Sequence, residues 1–211
     1  MGALVSGAVR LLAACLLWAA GHPAGTALGA DHSAGGAPAG EESLETLWER
    51  GERAFEAGDL AAAERDFLAA LSRDEHRSRS WNYLGGVHFA QGDLPRALEE
   101  FRRALAEDPR DVRACNNIGT ALQRLGDFAG AEEHYLRAAA ADPSYAPTQF
   151  NLGVLYAHRL ARPEEARRAW RRYLELVPKG RQADEVRREL SLLESAPAPS
   201  GPGGSPPSLP P

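Results

Sequence analysis

The sequence predicts an all-α chain: about four helix hairpins stacked into an α-solenoid and closed by a C-terminal capping helix. Three observations predict it. Small residues recur every 34 residues through the middle of the chain. In three of the repeats a Gly-Asp pair interrupts the pattern near its midpoint. The apolar residues on either side of that pair follow helical steps. A fixed period of this size means stacked supersecondary units.

Residues 1–30 read as an export signal. Arg10 precedes an apolar run from Leu11 to Ala20, and small residues follow at Ala24, Gly25, Ala27, Gly29 and Ala30. A positive residue, a short apolar stretch and a small-residue exit fit a secretory signal peptide. The run is about half the ~20 residues that a membrane span requires. A retained N-terminal anchor is the second reading. Leu12-Ala13-Ala14-Cys15 resembles a bacterial lipobox with Cys15 as its lipidated residue, but Arg10 leaves almost no apolar segment before it. The expected location is periplasmic or secreted. Residues 31–43 hold too little apolar content to fold and read as a disordered linker.

The repeats occupy 44–77, 78–111, 112–145 and 146–178. Gly51, Gly85, Gly119 and Gly153 keep the 34-residue step, as do Ala63, Ala97 and Ala131, and Phe67, Phe101 and Tyr135. In the second unit Trp81, Leu84, Gly85 and His88 line one helical stripe. Gly92 supplies a left-handed helix end and Asp93 the next N-cap. Pro95 stands in the first turn of the following helix, where its missing N–H costs nothing. Ala97, Phe101, Ala104 and Leu105 make the second stripe, and Pro109 ends it. Gly85 and Ala97 let the two backbones approach, and Ala104 makes room for the next unit. One hairpin cannot bury these stripes alone, so neighbours must stack.

Trp81-x-x-Leu84-Gly85-x-x-His88, Ala97-x-x-x-Phe101 and Pro109 resemble the tetratricopeptide repeat (TPR) signature, with His88 where that family usually has tyrosine. The third unit matches through Ile118, Gly119, Ala131, Tyr135, Ala138 and Pro143, with Cys115 in place of the tryptophan. The first matches through Leu47, Gly51, Ala63, Phe67 and Ala70, with Glu75 in place of the proline. The fourth matches through Leu152, Gly153, Tyr156, Ala166, Trp170 and Pro178, but has one inserted residue in its turn and no Gly-Asp pair. The resemblance covers roughly 44–178 and implies a right-handed α-solenoid of an exported bacterial type.

A cap helix is expected over 180–194. Ala183, Val186, Leu190 and Leu193 form its one apolar stripe, fitted to the face left open by Trp170 and Leu174. Residues 195–211 are rich in Pro, Gly and Ser and read as a disordered tail.

A net charge of -5 argues against a nucleic-acid binder, which needs a basic face to neutralise phosphates. No His-Glu-x-x-His or Cys-x-x-Cys spacing occurs, and no nucleophile–base pair or phosphate loop is found. The sequence predicts no enzyme, no cofactor, no metal and no small-molecule substrate. His88 is expected in the core and Cys115 as a buried inert thiol. Glu132-Glu133 and Arg167-Arg168 read as solvated helix faces.

What remains is a surface. The resemblance implies that the first helix of each unit lines a concave groove with its second, fifth, ninth, twelfth and thirteenth positions. The partner-binding candidates are Trp48, Phe55, Arg79, Asn82, Phe89, Arg113, Asn116, Gln123, Arg124 and Phe150. Asn82 and Asn116 stand one repeat apart, and an amide both donates and accepts, as a peptide group does. Arg79 and Arg113 repeat likewise and suit carboxylates. The aromatic residues offer apolar anchors. The expected partner is a protein segment or helix, held by an adaptor acting in envelope assembly or secretion. Repeat ends stacking between chains would instead build an oligomeric structural component. A membrane is a partner only if residues 1–20 are retained.

Overall fold

The computed structural model describes residues 42–73 and 77–195. The export segment 1–30, linker residues 31–41, Glu75 and the tail from 196 onward lie outside the described residues. Every regular element among the described residues is helical. The helices are α1 (Leu44–Glu56), α2 (Leu60–Leu71), α3 (Ser78–Gln91), α4 (Leu94–Glu107), α5 (Val112–Leu125), α6 (Phe128–Ala141), α7 (Ala146–His158), α8 (Pro163–Leu176) and α9 (Arg181–Ser195). They pair as α1/α2, α3/α4, α5/α6 and α7/α8. The second helix of each pair also packs on the first helix of the next.

The Gly-Asp pairs end and restart helices as their chemistry dictates. Gly92 takes φ +88°, and Asp93 N–H returns to His88 O at 2.9 Å. Asp93 then accepts from Arg96 N at 3.2 Å as the N-cap of α4. Asp59 and Asp127 cap α2 and α6 in the same way. Each such cap stabilises by roughly 1 kcal/mol. In the fourth unit Ala161 takes the left-handed conformation at φ +52° that glycine takes elsewhere. Arg162 holds that turn closed, bonding Glu165 at 2.9 Å and Glu132 at 2.8 Å. Glu132 also accepts from Tyr156 OH at 2.9 Å. This corrects the reading of Glu132 as a solvated charge: the larger turn brings a guanidinium onto it. Arg167 is likewise engaged, reaching the Leu193 carbonyl of the capping helix.

Within each hairpin an aromatic ring packs directly against a glycine. Phe67 meets Gly51, Phe101 meets Gly85, Tyr135 meets Gly119 and Trp170 meets Gly153. All four rings are fully buried. Burial of each contributes on the order of 2–3 kcal/mol. Between hairpins, Phe67 stacks on Tyr83 at 4.6 Å, joining the first unit to the second. Phe89, Phe101, Ile118 and Ala121 form the next section of core. Ala183, Val186 and Leu190 of α9 close the last section over Trp170 and Tyr173.

His88 is 1% exposed and Cys115 is buried. Burial pushes the Cys115 thiol up, away from its reactive thiolate. On the outer side of the first unit, Arg50 forks onto the buried Asp66 with bonds of 2.7 and 2.9 Å.

Candidate partner-binding groove

The glycine face of each first helix is turned to its own second helix. On α3 that face centres on Gly85. Arg79, Gly86 and Ala90 lie about a third of a turn away, on the side that α4 does not cover. Arg113, Thr120 and Arg124 are the matching positions on α5, and Glu45, Glu52 and Glu56 those on α1. The candidate groove is this row of first helices, α1, α3, α5 and α7.

At its first step, Trp48 is half-buried and donates its indole N–H to Ser80 Oγ at 3.0 Å. The Arg79 guanidinium lies 4.0 Å over the Trp48 ring. It also faces Glu45 at 3.4 Å and Glu52 at 3.6 Å. Glu52 in turn accepts from the Tyr83 hydroxyl. Burial pushes the Glu52 carboxyl up, and Arg79 opposes that rise. Trp48 and Arg79 thus bind each other as well as offering a surface.

Further along, the amides behave differently from expectation. Asn82 accepts from Asn117 Nδ2 at 3.0 Å. Asn116 accepts from Asn151 Nδ2 at 3.0 Å and from Thr148 Oγ1 at 3.2 Å. Gln123 accepts from the Tyr135 hydroxyl at 3.1 Å, while its Nε2 has no acceptor. Asn82, Asn116 and Gln123 are buried, as are Phe55, Phe89 and Phe150. The expectation that these six stand exposed in the groove is corrected. Neighbouring first helices lie close enough for their amides to bond one another. Phe55 and Phe89 fill the core between units, and Phe150 packs edge-on to Tyr173 at 5.4 Å.

Arg113 and Arg124 are exposed. Arg124 lies 4.5 Å over the Phe89 ring and donates to the Phe89 carbonyl at 3.3 Å. Among the described residues neither arginine has a carboxylate within ion-pair distance. The row therefore changes sign along its length, acidic on α1 and basic on α5. Sequence reasoning missed Asn117, Asn151 and Thr148. Their signal was present: Asn117 and Asn151 keep the 34-residue step one position after Asn116. Among the described residues no group of three or more His, Cys, Asp or Glu side chains could hold a metal ion, and no helix is long and apolar enough to cross a membrane.

Paired helices, glycine seams and a shared first-helix face define a helical-repeat solenoid. The tetratricopeptide repeat family matches over residues 49–112 and, by a second family model, over 88–144. Residues 49–144 of the chain are thus tetratricopeptide repeats. No curated protein matches it. Among solved structures it is similar to a thermophilic TPR protein of Thermus thermophilus, with TM-score 0.62 and 22% identity over 72% of this chain and 81% of that one. A TPR protein of Parabacteroides merdae gives TM-score 0.56 and 23% identity over 72% of this chain, which spans 60% of that protein. The first TPR of Spaghetti (RPAP3), bound to the HSP90 peptide SRMEEVD, gives TM-score 0.54 and 27% identity over 58% of this chain and 97% of that one. Tetratricopeptide repeats generally mediate protein–protein interaction, and the fold is generally non-catalytic.

Proposed function

We propose that this protein is an adaptor that holds an acidic segment of another polypeptide along the first-helix row, with α5 as the main contact. The observation that carries this reading is the pair Arg113 and Arg124, exposed on one helix and without carboxylate partners. Guanidinium groups so placed form short charge-assisted bonds to carboxylates. The buried amides beneath serve a different purpose: they tie α5, which carries both arginines, to the first helices on either side of it. The acidic peptide SRMEEVD held by the Spaghetti (RPAP3) domain supports the ligand class. The export reading of residues 1–30 places this adaptor outside the cytoplasm, in envelope assembly or secretion.

The test is co-purification of partners with the full chain and with an Arg113→Ala/Arg124→Ala variant. Loss of two charge-assisted contacts lowers affinity by at least about tenfold. Recovery of the same partners in the same amounts, from a variant with unchanged helical content, would contradict the reading.

A further inference from the structure

The His88 ring is buried between two carboxylates from different units. Its Nδ1 lies 2.6 Å from Glu100 Oε2 on α4, and its Nε2 lies 3.3 Å from Glu64 Oε1 on α2. Glu100 belongs to the same hairpin as His88, while Glu64 belongs to the one before. A neutral imidazole has one N–H and one lone pair. With a carboxylate oxygen at each nitrogen, the neutral ring must aim its lone pair at a negative oxygen. One added proton removes that conflict, on the ring or on a carboxyl group.

The charges around the cluster agree. Arg96 on α4 is 3.5 Å from Glu64 and 3.6 Å from Glu100. No other described acidic or basic side chain comes within ion-pair distance of His88, Glu64 or Glu100. Two carboxylates against one guanidinium leave a single negative charge, which one proton neutralises. Burial independently pushes the Glu100 carboxyl up, and His88 and Arg96 oppose that rise.

We infer that this cluster is a proton-dependent junction between the first two hairpins: the folded chain keeps one proton on the cluster to a higher pH than the unfolded chain does, and losing it loosens α1 and α2 from the rest. The inference is independent of what the groove binds. The first hairpin is the place for such a device, because among the described residues it has a neighbour on one side only.

The sign follows from linkage. A folded state that holds the extra proton is favoured at low pH and loses stability as pH rises. For one proton the folding constant falls by up to about tenfold per pH unit. The range from pH 5 to 8.5 spans the ordinary histidine value of about 6.5 and lies above the ordinary glutamate value of about 4.3.

Urea unfolding of the full chain across that range is compared with Glu100→Gln and Glu64→Gln. A glutamine amide can meet either ring nitrogen, so a neutral ring is satisfied in both variants. The expected result is a stability that falls with pH in the wild type and a flatter profile in each variant that folds. The other histidines of the chain are the same in all three proteins, so their contributions cancel in the comparison. Hydrogen exchange, corrected for its intrinsic pH dependence, should rise over 44–71 at high pH while 112–176 stays protected. Parallel pH profiles in wild type and variants, or equal loss of protection over both regions, would overturn the inference.

Discussion

Asn117 donates its side-chain amide to Asn82 across the junction of two repeats, and both residues are buried. The same arrangement recurs one junction later, where Asn151 and Thr148 both bond to Asn116 Oδ1. The first helices are thus tied to each other directly, by polar groups one repeat apart.

Asn116→Ala should therefore act on stability. It strands the Thr148 hydroxyl in the interior and leaves the Asn151 amide only its 3.4 Å contact to Thr120 Oγ1, at a cost of about 1–3 kcal/mol. The expected outcome is a lower urea midpoint with unchanged slope. A midpoint equal to wild type would mean that the ladder is not formed in solution.

Gly85 and its neighbour Gly86 make a matched pair. A methyl at Gly85 would stand 2.5 Å from Phe101 Cδ1, while one at Gly86 meets nothing within 4 Å. Gly85→Ala should cost about 1–3 kcal/mol through overpacking. Gly86→Ala should stabilise by about 0.5–1 kcal/mol through helix propensity. Thermal unfolding of the two variants checks the opposite signs.

The Arg50 guanidinium holds the Asp66 carboxyl below the usual carboxylate range. The folded chain then binds fewer protons at this site than the unfolded chain. The resulting stability is present above the ordinary aspartate value of about 3.9 and is lost as pH falls below it. Asp66→Asn should lower stability by roughly 1–2 kcal/mol at pH 7, since Arg50 is partly exposed. It should also weaken the acid dependence below about pH 4, measured by unfolding at fixed urea. This acid loss lies on the opposite side of neutrality from the loss expected of the His88 cluster.

The fold was legible because its determinants repeat. Gly85 under Phe101 is one instance of a contact written four times at one spacing, and Gly92-Asp93 is one of three identical turns. The candidate site was legible in register only. Arg113 and Arg124 are exposed where the register puts them, yet Asn116 and Phe150, at the fifth position of their units, are buried. Whether an amide faces solvent or a neighbour depends on how closely the next first helix approaches. That distance is set by the small and aromatic residues of two adjacent hairpins together. The Glu132–Arg162 pair was hidden for a similar reason, since it joins the turn of the fourth unit to a helix of the third.

The claim that a partner polypeptide lies on the first-helix row is tested most directly by site-specific photo-crosslinking. A photoreactive side chain at Ala90, exposed on that row, is compared with one at Leu136, which is 48% exposed on the second helix α6. The account predicts partner adducts from position 90 and few or none from position 136. Adducts from 136 with none from 90 would contradict it.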